Sequence, residues 1–213
     1  MESKKLTIFF TSDLHAYIYP TDYRSREDIG LFKCASRFTR DGNTLIIDGG
    51  DLLQGSPLGA FCHDTLQNAA PFAEMMNCCG YDYVTLGNHD FNYGMPYLES
   101  YLNALRARCV CQNIRWDGAG VRFPACIHTL ENGLRIGIVG IVTDYVNIWE
   151  RPEHLSGITI SDPIPAATGR APRQNRPQPL RLSRWVRAGS YHRPGAFLHP
   201  RKCRLPHLSR ARF

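Results

Sequence analysis

The sequence predicts an α/β domain, and three observations carry that prediction. Short apolar runs rich in β-branched and aromatic residues alternate with stretches that repeat apolar residues at helical spacing. The runs are almost continuously apolar, as strands covered on both faces require. Three successive runs each end abruptly in a polar cluster, "SDLH", "DGGD" and "GNHD". In such sheets ligands gather beyond the carboxyl ends of the strands.

Taken in order, "KLTIFF" is the first strand and stops at "TSDLH". "IGLFKCASRFTR" follows, with Leu31, Phe32, Ala35 and Phe38 at helical spacing, and "NTLIIDGGD" is the second strand. "PFAEMMNCCG" reads as a helix with Phe72, Met75, Met76 and Cys79 on one face, Pro71 in its first turn and Gly80 at its end. "YVTL" is a third strand and "MPYLESYLNALRA" a third helix, with Tyr97, Leu98, Tyr101, Leu102 and Leu105 on one side. "CVCQNI" is a fourth strand, and "IHTLENGLRIGIVGIV" gives two strands around an Asn132-Gly133 hairpin turn.

Charge divides the chain unevenly. Residues 1–162 hold 13 Lys plus Arg against 19 Asp plus Glu, a net of −6, whereas residues 163–213 hold 12 Lys plus Arg and no acid. The two parts sum to the formal +6 of the whole chain. Eight prolines interrupt 163–213, which keeps neither strand nor helix period, so disorder is expected there. A basic arm that contacts nucleic acid through phosphate charge is one reading of it. A GC-rich coding strand translated out of frame is the other, and the abrupt switch at 163–167, where "SGITISDPIPAA" leads towards a helix that does not continue, favours it. The expected boundaries are thus a domain at 1–162 and a tail at 163–213.

No leader is legible in "MESKKLTIFFTSD", and no run approaches the roughly 18 apolar residues of a membrane span. The eight cysteines form no C-x-x-C pair, which is the usage of buried, reduced thiols in a cytoplasmic protein.

The chemistry sits in the three clusters. Carboxylate plus imidazole, as in Asp13 and His15, is a common shell for Mn, Fe, Co or Zn. Asp51 follows Gly49 and Gly50, whose freedom lets the chain turn sharply, and a carboxylate placed between two such groups can bridge two metals. Asn88 offers a neutral carbonyl oxygen as a ligand, and His89 beside it faces the substrate, ready to donate a proton or hydrogen bond to a phosphoryl or leaving oxygen. Each cluster alone is common in turns; their order at three successive strand ends is what gives them weight.

These blocks resemble the first three signatures of the calcineurin-like metallophosphoesterases. The text around them ("TIFFTSDLHAYIYP", "LIIDGGDLLQGSPLG", "YDYVTLGNHDFNYG", "CQNI", "GLRIGIVGIVT") is similar to the 5'-nucleotidase and 2',3'-cyclic-nucleotide 2'-phosphodiesterase branch, over roughly residues 5–162. The resemblance implies a metallophosphoesterase-type αββα sandwich, two divalent ions (Mn, Zn, Fe, Co or Mg), and hydrolysis of nucleotide phosphate esters by metal-bound hydroxide. It implies Asp13 and His15 on the first ion, Asp51 bridging, Asn88 on the second, His89 as the catalytic imidazole, and Asp48, Asp90 and Asn92 in support. In 5'-nucleotidase relatives an acid often stands three places after that His and orients its ring. Asn92 stands there in this chain, a variant more similar to the cyclic-phosphodiesterase relatives. The family's later His and G-H-x-H block have no counterpart among His63, His128, His154, His192, His199 and His207, and its nucleotide-gripping C-terminal domain has none either. The expectation is therefore an incomplete sandwich with weak metal binding and slow turnover. A fragment without activity, or a binder of nucleic acid through the tail, is the alternative.

Overall fold

The computed structural model describes residues 4–19 and 29–168. The expectations of disorder and of nucleic-acid contact in the basic tail therefore lie, from residue 169 on, outside the described residues.

Strand β1 (Thr7–Thr11) leads through helix α1 (Leu31–Ala35) to β2 (Thr44–Asp48). A short α2 (Pro57–Phe61) runs into one π-helical turn, and α3 (Ala70–Cys79) returns the chain to β3 (Tyr83–Val84). A 3-10 turn at Asn88–Phe91 precedes α4 (Met95–Ala104) and β4 (Arg108–Cys109). These four strands form one parallel sheet in the order β1-β2-β3-β4, so their carboxyl ends share one edge.

Helix α3 ends and faces as the sequence reading expected, whereas α4 keeps the expected face but stops at Ala104, so Leu105 is an extended cap residue outside it. Pro71 sits in the first turn of α3, Gly80 closes it at φ 75°, and Phe72 and Met76 are buried with Met75 and Cys79 packed beside them. In α4 the buried residues are Met95, Tyr97, Leu98 and Tyr101.

The run "CVCQNI" is not one strand. It divides at Val110 into β4, which continues the parallel sheet, and β5 (Cys111–Trp116), which starts an antiparallel one. There β5 lies between β6 (Val121–Phe123) and β9 (Ile158–Ile160). The fully buried Asn113 holds this junction: its amide donates to the carbonyls of Val142 at 2.7 Å and Ser161 at 2.8 Å, and its oxygen accepts from the Val142 N–H at 3.0 Å.

The hairpin forms as expected, with β7 (Cys126–Thr129) paired to β8 (Arg135–Ile138). It covers one face of the parallel sheet. Along β2 every side chain is buried, but neighbours point opposite ways: Ile46 joins the large helix-side core, while Leu45 and Ile47 join a second core with Ile136 and Ile138. His128 lies in that hairpin, half-buried and bonded to the Tyr83 hydroxyl at 2.9 Å, a sheet residue as its context suggested. After a short α5 (Val146–Trp149), a 3-10 turn and β9, helix α6 (Pro163–Thr168) begins where the sequence expected a helix to fail. No described helix is long and apolar enough to cross a membrane.

Candidate metal centre

The parallel sheet delivers the three polar clusters to one edge, and the loops that carry them are bonded to one another. The N–H groups of Asp13, His15 and Ala16 donate to the carbonyls of Gly50, Asp51 and Leu52, at 2.9, 2.8 and 2.6 Å. This side-by-side path forces unusual backbone. Asp13, His15, Ala16 and Asp51 all hold left-handed φ, at 56°, 48°, 59° and 59°. Such conformations cost free energy in L-residues and persist where the surroundings over-determine them, as they do at functional sites.

Glycine makes the approach of the second and third loops possible. A Cβ on Gly50, whose φ is 94°, would stand 2.2 Å from the Gly87 nitrogen. A Cβ on Gly87 would stand 2.2 Å from Asp51 Oδ1. The two loops are thus closer than any side chain at either position allows.

Asp90 clamps the same loops from beneath. One of its carboxylate oxygens accepts from the N–H groups of Leu52 (2.9 Å) and Leu53 (3.1 Å), the other from those of Asp51 and Gly87 (both 2.9 Å). Burial drives its pKa up, while these four bonds act against the rise by favouring the charged form. Asp48 is equally buried and accepts from Thr11 Oγ1 at 2.5 Å and the Gly50 N–H at 3.0 Å. Burial, with Asp90 and Asp13 nearby, pushes it up to about 7.

In the middle of this frame His15, Asp51 and His89 converge. Each offers a ligating atom, and the three atoms lie within 4.8 Å of one another. The Asp51 carboxylate is 4% exposed and accepts from the His89 backbone N–H at 2.8 Å. Burial first, and then the Asp90 charge, raises it to about 6. The ring of His15 is fixed by a 2.8 Å bond from Nδ1 to the Gln54 carbonyl. A carbonyl only accepts, so Nδ1 carries the proton and Nε2 keeps its lone pair. Asn92 meets His89 at Nδ1 in the same way, at 2.8 Å, and the two rings stand edge to face with centroids 5.1 Å apart.

Two imidazole lone pairs and a carboxylate destabilised by burial are a donor set that suits a borderline divalent cation. Asp13 lies outside the group of three, but its charge contributes to raising both Asp48 and Asp51. Asn88 opens the 3-10 turn that carries His89. Asp90 does not touch the His89 ring; its partners are backbone N–H groups, while Asn92 holds the ring. One neighbour was not legible in sequence: the Asn92 amide nitrogen donates to Glu150 Oε1, from a residue 58 positions away. The other described histidines have their own partners, His63 with Asp64 and the face of Tyr93, His128 with Tyr83, His154 with Glu150.

Comparison with known proteins places the chain in a family. The family model described as calcineurin-like phosphoesterase matches residues 6–165. The chain is 30% identical, in an alignment 191 positions long that covers 79% of it, to the trifunctional nucleotide phosphoesterase protein YfkN of Bacillus subtilis. It is 30% identical, in an alignment 177 positions long that covers 74% of it, to the 2',3'-cyclic-nucleotide 2'-phosphodiesterase/3'-nucleotidase of Yersinia enterocolitica. The crystal structure of the calcineurin-like phosphoesterase YfkN from Bacillus subtilis superposes with a TM-score of 0.65 at 28% identity, over 79% of this chain. The chain spans 13% of the first relative, 27% of the second and 57% of the crystallised chain.

Proposed function

The chain belongs to the calcineurin-like phosphoesterase family, and on that premise we propose that it hydrolyses phosphate esters of nucleotides at the loop cluster around Asp51. The observation that carries this reading is the convergence of His15, Asp51 and His89 within 4.8 Å. Asp13, His15, Asp51 and Asn88 are the residues that would hold divalent ions there, with Asp51 in the middle of the cluster. Divalent ions bound there supply Lewis acidity towards a phosphoryl oxygen and lower the pKa of water.

The chain's own residues do the rest. The Asp90 clamp and the paired loops hold the ligands before substrate arrives, so little reorganisation is needed during reaction. His89, its Nδ1–H held by Asn92, presents Nε2 to the departing or phosphoryl oxygen and, in the form protonated on both ring nitrogens, gives it a proton or hydrogen bond. The substrate leans towards 2',3'-cyclic phosphodiesters, as the neutral Asn92 and the name of the Yersinia enterocolitica relative suggest. The described ligands fill a two-ion shell only partly, and we take weak metal retention and slow turnover to be part of the same reading.

The test is hydrolysis of bis(p-nitrophenyl) phosphate and of a 2',3'-cyclic nucleotide by purified chain, with Mn, Zn or Co titrated in after chelation. Metal-dependent release that disappears in His89→Ala and in Asp51→Asn is the expected result. Hydrolysis that persists in both variants, or that ignores chelation, overturns the assignment.

A further inference from the structure

The ring of His89 is gripped by a neutral amide, and a carboxylate stands behind that amide. Asn92 Oδ1 lies 2.8 Å from His89 Nδ1, and Asn92 Nδ2 donates to Glu150 Oε1. The Glu150 side chain is only 9% exposed, and its second oxygen meets His154 Nδ1 at 3.1 Å. Its backbone is anchored too: the Glu150 N–H bonds the Val146 carbonyl, and Asn147 of the same α5 turn donates to the Ile160 carbonyl at 2.8 Å.

The roles of donor and acceptor follow along this line. An ionised carboxylate accepts only, so the Asn92 atom facing Glu150 is the NH2 and the atom facing the ring is the oxygen. An amide oxygen also accepts only, so the proton on the neutral His89 ring sits at Nδ1. Nε2 is then left with its lone pair towards His15 and Asp51. Without Glu150, the Asn92 amide could turn over and present NH2 to the ring, which would place the proton on Nε2 instead.

We propose that Glu150 is a positioning residue for His89, acting through Asn92 to fix which ring nitrogen faces the centre. The inference rests on the functional reading above for its kinetic consequence, but not for its structural one. A direct carboxylate on Nδ1 would hold the ring more strongly; the relay keeps the orienting charge one amide away.

The test uses the full chain, metal-free, with the His89 ring nitrogens followed by 15N NMR at alkaline pH and assigned by loss in His89→Gln. Wild type is expected to show the Nδ1–H tautomer, and Glu150→Ala a shift towards Nε2–H. Glu150→Gln retains an acceptor oxygen for Asn92 and is expected to retain the tautomer. With metal restored, Glu150→Ala should lower kcat about 10–100-fold, the usual cost of losing such a supporting partner, with KM unchanged. Should Glu150→Ala fail to fold, Glu150→Ser carries the same measurement: its short side chain no longer reaches the Asn92 amide, and the tautomer is again expected to shift towards Nε2–H. A tautomer indifferent to the loss of the Glu150 carboxylate in either variant overturns the relay. A tautomer that responds in a chain with no phosphoesterase activity supports the relay and removes only the function.

Discussion

Replacing Asp90 by Asn tests whether the loop clamp or the burial of charge dominates the energetics of this site. The carboxylate accepts four backbone N–H bonds in pairs, Leu52 with Leu53 on one oxygen and Asp51 with Gly87 on the other. An Asn side chain keeps one oxygen and points NH2 at the other pair. Two buried donors then lack an acceptor, at about 1–3 kcal/mol each, or roughly 2–6 kcal/mol in all. Relief acts in the opposite direction, because the Asp90 charge is one of the causes that raise Asp51. The net loss expected is about 2–4 kcal/mol, a large share of the ~5–15 kcal/mol that holds a domain folded. Urea unfolding in chelator reads it as a lower midpoint at unchanged slope. Amide exchange should speed up at whichever pair of N–H groups, Leu52 with Leu53 or Asp51 with Gly87, faces the new NH2. A variant as stable as wild type, with all four amides exchanging as before, would refute the reasoning and make charge burial the larger effect.

Other outcomes follow from the same geometry. Asp48 and Asp51 are raised to about 7 and about 6 from an unfolded value of 3.8, so the folded chain keeps protons that the unfolded chain has lost. Their contribution is full below the unfolded value, declines as pH rises from there, and is gone above the folded values of about 6 and about 7; in chelator the urea midpoint should fall between about pH 4 and pH 7, and Asp48→Asn should flatten the fall. An equally steep fall in Asp48→Asn would count against that assignment. Gly50→Ala puts a Cβ 2.2 Å from backbone and should cost about 3 kcal/mol or prevent folding, whereas Gly120→Ala, with nothing within 4 Å and no positive φ, should cost about 1 kcal/mol or less. Equal midpoints for the two would mean that the loops part more easily than their spacing implies.

The convergence of three side chains was legible because polar residues closing apolar runs are conspicuous: His15, Asp51 and His89 each follow a strand that burial makes apolar. Helices α3 and α4 were legible for a similar reason, their apolar residues repeating at one helical period. What long-range pairing decides was not legible. Val110 gives no sign that Arg108–Cys109 will pair with β3 while Cys111 pairs with Phe123, since no Gly or Pro marks the change of sheet. Glu150 reaches Asn92 across 58 positions, and nothing in "NIWERP" distinguishes it from a surface acid. The left-handed φ of Ala16 was equally hidden, because Ala carries no preference for it.

The mutual approach of Gly50 and Gly87 also bears on when the centre can exist during folding. Asp51 is separated from His89 by 38 positions, and the loop of Asp51 is shaped by bonds to Asp90 and to His89. Neither loop can reach its final path until the other is in place, because each occupies space that the other defines. The closeness of the three ligating atoms is therefore a gauge of native packing, since a slip of β3 against β2 would draw His89 away from Asp51. Capture on an immobilised divalent cation would then sort chains by how completely the middle of the sheet has formed, without any measurement of turnover.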